Sequence, residues 1–314
     1  MARNIRNCNV AVIGGAGFLG SHLTKHLIED RDCNVVVIDN LISGQKKFIH
    51  PKAKFVYHDI TQSESALRRI FEKEKIDYVF NYAAEPYIPV SFERPLHVFD
   101  INARGALMVM NAGQEAGVKG ILQVSSAEIY GDAPEYPINE EYPARPHSTY
   151  GASKLAIDAL VQARWREAKT PVIALRQFNC VGENDLFHPY VIPEIITQLQ
   201  KSDIVKLGNN SFRDFQYAGD AVRMATELLE KGQFGEVYNM GSQEGAKIYD
   251  IAYMIGEIMG KKINIEIDES RVRPWEIWHL QSDNTKLYSV IETRPKVSLK
   301  EALERTIKDI CIKN

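Results

Sequence analysis

Apolar positions fall in short β-branched runs that alternate with stretches of helical spacing. Residues 9–13 (NVAVI) are apolar after the first position, stop at Gly14-Gly15, and predict a buried strand. From 18 to 29 the residues Phe18, Leu19, Leu23, Leu27 and Ile28 share one side, which predicts a helix. The alternation continues, with strands expected at 34–38, 54–57, 78–81 and 120–124. Helices are expected at 64–75, with Leu67, Ile70 and Phe71 inward, and at 96–115, a single long element stopped by Gly117. Parallel neighbours need a crossover, so strands alternating with helices imply a parallel sheet. Runs such as VVVI at 35–38, apolar on both faces, imply helices on both sides. The first half therefore reads as an α/β fold with a doubly wound parallel sheet.

The second half is less regular. Helical patterns occupy 151–168, 192–199, 219–229, 248–259 and 298–310, the last with Leu299, Leu303, Ile307 and Ile310 inward. Strands are expected at 171–175 and 237–241, and the polar, Gly/Pro-punctuated stretch 179–188 reads as a loop. No repeat, low-complexity segment or flexible linker separates the halves, so two lobes with a cleft between them are expected.

Composition narrows the class. Of 314 residues, 45% are apolar and 25% charged, an ordinary globular balance that excludes a disordered chain. No apolar run reaches the ~18 residues needed to span a bilayer, and the mean hydropathy is −0.26. Met1 to Asn9 is polar and has no apolar core of a signal peptide. A net charge of −3 without a basic block argues against nucleic acid as a partner. Cys8, Cys33, Cys180 and Cys311 form no CxxC or Cys/His metal spacing, so no metal is expected and a reducing cytoplasm fits.

The turn after the first strand carries chemistry. In Gly14-Gly15-Ala16-Gly17-Phe18-Leu19-Gly20, the glycine at 14 permits a tight turn, the one at 17 lets backbone approach a pyrophosphate, and the one at 20 lets the helix pack on the strand. The helix start offers unpaired N–H groups and partial positive charge to phosphates. Asp39 ends the next strand, 19 residues past Gly20, where a carboxylate can bind adenosine ribose hydroxyls. A carboxylate repels a 2′-phosphate, and the next residues are Asn40 and Leu41 rather than Arg, so NAD is expected over NADP. Asp59 and Ile60, after the third strand, are candidate adenine contacts.

A second constellation is Tyr150-Gly151-Ala152-Ser153-Lys154, which puts Tyr and Lys about one helical turn apart on one face. A nearby ammonium would lower the phenol pKa and make Tyr150 a base near neutral pH. Ser125-Ser126 directly follows the fifth strand, at the carboxyl edge where doubly wound sheets bind ligands.

At this point the chain resembles the extended short-chain dehydrogenase/reductase family, the nucleotide-sugar epimerases and dehydratases. The resemblance covers nearly the whole chain, through GGAGFLG (14–20), NYAAE (81–85), SSAEIYG (125–131), YGASK (150–154), RQFNCVGE (176–183), RDFQYAGD (213–220) and RPWE (273–276). It implies a Rossmann NAD-binding domain of residues 1–176 plus about 214–241, and a smaller nucleotide-sugar-binding lobe of about 177–213 plus 242–314. It implies that Tyr150 takes the proton of a sugar hydroxyl at C4, Lys154 holds the nicotinamide ribose, and Ser126 hydrogen-bonds the same hydroxyl. Cofactor contacts are implied at Gly14, Gly17, Phe18, Leu19, Gly20, Asp39, Asn40, Asp59, Ile60 and Ala83, besides Tyr150 and Lys154. Substrate contacts are implied at Glu85, Ser126, Asn179, Arg213 and Arg273, and a structural role at Asn102. Guanidinium forks suit phosphates, although Arg213 has Asp214 and Asp220 at hand as plain salt-bridge partners. The resemblance also implies a homodimer through helices 96–115 and 151–168.

One triplet departs from the family pattern. The 4,6-dehydratases carry Thr-Asp-Glu after the fifth strand, whereas this chain has Ser126-Ala127-Glu128. Ala127 cannot donate a proton, which points first to a 4-epimerase. Glu128 keeps dehydration open as a C5 base, and net 4-dehydrogenation is a further alternative. A non-catalytic NAD sensor on the same fold is disfavoured by the Tyr/Lys pair. Cys180 could supply a thiol only if it had thiolate character. His188 and His279 are candidates for the sugar pocket, and Trp275 and Trp278 for sugar, base or core packing.

Overall fold

In a computed structural model describing residues 3–185, 190–273 and 275–313, seven strands form one parallel sheet. They are β1 (Asn9–Ile13), β2 (Asn34–Asp39), β3 (Lys54–Tyr57), β4 (Tyr78–Asn81), β5 (Gly120–Ser126), β6 (Val172–Gln177) and β10 (Val237–Met240). Their order across the sheet is β10-β6-β5-β4-β1-β2-β3, so β1 pairs with both β2 and β4. This is the doubly wound arrangement, whose strand order reverses beside β1.

The apolar runs fill both faces by simple alternation. Val10 and Val12 of β1, Val35 and Val37 of β2, and Tyr78 and Phe80 of β4 enter one core. Ala11, Ile13, Val36, Ile38 and Val79 enter the other. Helices α1 (Phe18–Glu29) and α8 (Ala218–Lys231) cover the first core, where Leu23, Leu27, Val222 and Leu228 are buried. Helices α2 (Glu64–Lys73), α5 (Gly105–Ala116) and α6 (Thr149–Ala168) cover the second through Leu67, Phe71, Val109, Ile157 and Val161.

The helix expected over 96–115 is divided. Helix α4 (Pro95–Phe99) follows a short α3 (Val90–Glu93), and a π-helical turn over Asp100–Arg104 joins α4 to α5. The wider turn places the Asn102 side chain inside, where Oδ1 accepts from the Glu85 N–H at 2.8 Å and Nδ2 donates to Ser153 Oγ at 3.1 Å. A tertiary demand on one side chain thus displaced regular i→i−4 bonding.

The second half contains strands that periodicity did not predict. Residues expected as a loop from 179 include β7 (Asn179–Val181), which pairs with β9 (Phe212–Tyr217). Strands β11 (Gly245–Lys247) and β13 (His279–Leu280) complete that four-stranded sheet. Strands β8 (Ile204–Leu207) and β12 (Asn264–Ile267) pair separately. Helices α7 (Val191–Lys201), α9 (Ile248–Ile258) and α11 (Leu299–Lys313) enclose a third core, with Ile195, Leu199, Ile251, Ile255, Leu303 and Ile310 fully buried. Among the described residues no helix is long and apolar enough to cross a membrane.

Candidate active site

A cleft of about 1010 Å³ runs along the carboxyl ends of β1, β2, β4, β5 and β6 to β9 and the segment around Arg273. Its first wall is the glycine turn. Gly14 has φ +76°, and a Cβ there would stand 2.7 Å from the Ala83 nitrogen, so only glycine fits. A Cβ on Gly20 would stand 2.1 Å from the Gly14 oxygen, which fixes helix against turn. Gly17 begins α1 with no side-chain cap, and the first turn holds no acidic residue, which leaves the helix N–H groups directed at the cleft. These features suit a pyrophosphate. Phe18 and Leu19 line the same wall.

Asp39 ends β2 beside this turn. Its Oδ2 accepts from the Ala16 N–H at 3.0 Å and its Oδ1 from the Leu41 N–H at 2.8 Å, which fixes the carboxylate against the glycine turn. Asn40 Nδ2 donates to Asp59 Oδ2 at 3.1 Å. Burial pushes the Asp59 carboxyl up, but bonds from Thr61 and Asn40 outweigh it and hold the group below its ordinary value. Ile60 is buried against Gly105 of α5, and Ala83 backs Gly14; both line the cleft.

Ser126, Tyr150 and Lys154 converge at the end of β5. The Lys154 ammonium, 3% exposed, donates to the Val124 carbonyl at 3.1 Å. Burial pulls its pKa down to about 8, against the attraction of Asp158. The expectation that this ammonium lowers the Tyr150 pKa is corrected. Burial pushes the Tyr150 hydroxyl far above its ordinary value, the Ser126 hydrogen bond opposes that, and the carboxylates Glu128 and Glu85 add to it. The reason is geometric: the ammonium is committed to a backbone carbonyl and lies 5.8 Å from the Tyr150 ring centre.

Two residues behind this group were not anticipated. Asp158 lies one helical turn beyond Lys154 and accepts from Arg176 Nε at 2.8 Å; both side chains are buried. Arg176 also donates to the Tyr130 hydroxyl at 2.6 Å, which donates to Asn239 Oδ1 at 2.7 Å. The spacing Tyr150, Lys154, Asp158 was the available signal, since all three share a helix face.

The far end of the cleft is an arrangement of alternating charges. Burial raises the Glu128 pKa, while Arg213 and then Arg273 oppose it. Arg213 does not pair with Asp214 or Asp220. It donates to Glu276 Oε1 at 2.6 Å and to the Phe212 carbonyl at 2.9 Å. Asp214 is taken by Ser242 and Ser282, and Asp220 by Arg223 and the N–H groups of Lys296 and Val297. Glu276 Oε2 also accepts from Asn209 Nδ2 at 2.6 Å. Asn179 and Glu85 line the cleft, with Glu85 Oε1 accepting from the Tyr87 N–H at 3.2 Å.

Several candidates fall elsewhere. His279 stacks between Tyr136 (3.6 Å) and Phe212 (4.2 Å) and does not line the cleft. Trp275 and Trp278 are 68% and 58% exposed, so neither is core and neither lines the cleft. Burial pushes the Cys180 thiol far up, opposite to what a nucleophile needs. His188 lies outside the described residues.

Residues 10–241 match the NAD dependent epimerase/dehydratase family. The chain is 31% identical over 314 residues to a dTDP-D-glucose 4,6-dehydratase of Mus musculus, covering 95% of this chain and 87% of that protein. It is 32% identical over 276 residues to a UDP-glucose 4-epimerase of Lacticaseibacillus casei, covering 81% and 82%. Among solved structures, a UDP-glucose 4-epimerase with UDP-glucose from Thermotoga maritima has a TM-score of 0.91 at 28% identity, over 97% of this chain and 99% of that one.

Proposed function

The chain belongs to the NAD dependent epimerase/dehydratase family, and from that premise we propose that it oxidises C4 of a nucleoside-diphosphate sugar and completes a 4-epimerisation. One observation carries the reading: Ser126, Tyr150 and Lys154 meet at the end of β5, between an uncapped helix start and a buried arginine. Anions suit both ends, and a proton-transfer group stands between them.

NAD, when bound, would supply the hydride acceptor for C4 and a positive charge to the cleft. The α1 N-terminus and Gly17 would hold its pyrophosphate, and Asp39 its adenosine ribose. Lys154 would hold the nicotinamide ribose. Ser126 orients the C4 hydroxyl, and Tyr150 Oη takes its proton and later returns it. Added positive charge at Tyr150 counters the burial that raises its pKa. Arg213 and Arg273, with Asn179 and Glu85, would hold the diphosphate and sugar. The main sheet then serves the cofactor and the smaller sheet with α7, α9 and α11 serves the nucleotide sugar.

Epimerisation is preferred because position 127 is a buried methyl, and elimination needs an acid for the departing hydroxyl. A specific observation supports the second reading, dehydration. Glu128 lines the cleft, its carboxyl is raised, and its charge reaches Tyr150. Turnover of UDP-, GDP-, dTDP- and CDP-sugars in heavy water separates the outcomes. An isomer of unchanged mass supports epimerisation. Loss of water with deuterium uptake supports dehydration, and loss of two hydrogens net oxidation. No turnover by an NAD-loaded protein would overturn the reading.

We further propose a cytoplasmic homodimer. Phe92, Leu96 and Phe99 are 41%, 84% and 44% exposed on α3 and α4, which pack beside α6. An apolar surface of that kind suits a partner helix pair. Light scattering that gives a monomer mass would remove this part of the proposal.

A further inference from the structure

Among the described residues, one carboxyl of the cleft lacks a partner for a buried oxygen. Asp185, in the turn after β7, is 5% exposed and lines the cleft, and its Oδ1 has no hydrogen-bond partner. Two other buried carboxyls have a cation acting on them, although burial still raises both and Asp158 Oδ1 is likewise without a partner among the described residues. Asp158 has Arg176, and Glu128 has Arg213 and Arg273. Among the described residues nothing offsets the burial of Asp185, which pushes its pKa up to about 8. The group therefore keeps its proton at neutral pH and can both donate and accept.

Its neighbours locate it. The adjacent Asn184 donates to Ser21 Oγ on the first turn of α1 at 3.0 Å. Tyr190, Cys180 and Tyr82 line the same cleft as Asp185. The Tyr82 hydroxyl likewise has no partner among the described residues and lines the cleft. These neighbours are neutral near pH 7, since burial raises the hydroxyls of Tyr82 and Tyr190 and the thiol of Cys180. Asp185 thus follows a residue bonded to the first turn of α1 and shares the cleft with Tyr150.

A phosphate could accept from the carboxyl O–H but would leave its second oxygen unmet, because a phosphate offers only acceptors. We propose that Asp185 is a ligand-binding residue of the cleft whose carboxyl exchanges hydrogen bonds with a neutral donor–acceptor group, either the carboxamide of the cofactor or a hydroxyl of the sugar. An orphaned buried group costs stability until a ligand supplies its partner. The inference rests on the cofactor and substrate reading above.

The test compares wild type with Asp185→Leu and Asp185→Asn, in two competitions read by mass spectrometry of the bound nucleotide. One sets NAD against ADP-ribose, which lacks the carboxamide. The other sets UDP-glucose against UDP, which lacks the sugar. In the leucine variant one preference is expected to fall by about tenfold, the worth of one hydrogen bond to a buried group. The asparagine variant, neutral and still able to donate and accept, should keep both preferences within about threefold. A fall in the first competition assigns the carboxamide, and a fall in the second the hydroxyl. The ligand-free leucine variant should also melt above wild type, because an unmet polar group has been removed; Asp185→Ala gives the same binding result if leucine does not fit. Both preferences unchanged overturns this inference alone, whereas a wild-type protein that binds no NAD overturns the functional reading itself.

Discussion

The Lys154 ammonium donates to the Val124 carbonyl at 3.1 Å, while the Tyr150 ring one turn earlier lies 5.8 Å from that nitrogen. The lysine is therefore a buried charge held by the strand it packs against. Its pKa of about 8 in the folded chain lies below the unfolded value of 10.5. Between those two values the unfolded state binds more protons, so stability should rise with pH from about 8 to 10.5 and level off above. Lys154→Met should flatten that rise and stabilise the ligand-free protein near pH 7 by up to about 3 kcal/mol, while abolishing turnover. Asp158→Asn should do the reverse, removing the attraction that keeps Lys154 charged. Urea unfolding across this pH window checks both.

Tyr150→Phe removes the proton acceptor without touching the glycine turn. Turnover should fall by about 10³-fold with NAD retained, as for loss of a general base. Unchanged activity would remove Tyr150 from its proposed role. Glu128→Gln takes away a negative charge that raises the tyrosine pKa. The pH–rate limb assigned to Tyr150 should then move to lower pH. If Glu128 is also a C5 base, the same variant should lose deuterium uptake from heavy water.

Two glycines of one turn should respond differently to alanine. At Gly20 the new methyl would stand 2.1 Å from the Gly14 carbonyl oxygen, so Gly20→Ala should lower the melting temperature and lose cofactor together. At Gly17 the same methyl would stand 3.2 Å from that oxygen, a contact that a small shift relieves. Gly17→Ala should fold with little change in melting temperature and lose NAD affinity, because the methyl faces the space over the helix start. Calorimetry of melting and of NAD binding separates the two effects.

Arg213 and Glu276 should divide stability from binding. Glu276→Ala leaves a buried guanidinium without its carboxylate, and a cost of about 3 kcal/mol is expected in chemical denaturation. Arg213→Lys keeps the charge but loses the fork. It should raise KM for the nucleotide sugar about tenfold while kcat changes little, as expected of a group that binds ground and transition states alike.

Much of this architecture was legible in the residue pattern because the main sheet is parallel. Its strands are apolar on both faces, and its glycine turn has a strict local geometry. The FRDFQY strand was missed because Arg213, Asp214 and Gln216 break the apolar run by which a buried strand is read. All three are in fact buried, Arg213 on Glu276 and Asp214 on Ser242 and Ser282. Polarity signals exposure only when a chain cannot supply partners from distant segments. The division of the 96–115 helix was hidden for a related reason, since the π-helical turn answers to Glu85 and Ser153 rather than to local propensity.

From its residues alone the chain sets the strands of the main parallel sheet, the phosphate turn and the Tyr150–Lys154 spacing, because each depends on neighbours within a few positions. The charge state of those groups is another matter. Whether Tyr150 is raised or lowered, which carboxylate holds Arg213, and that Asp185 is buried without a partner among the described residues all depend on segments distant in the chain meeting in a medium of low dielectric. Coulomb and desolvation energies act through space and not along the chain, so only the folded arrangement sets them.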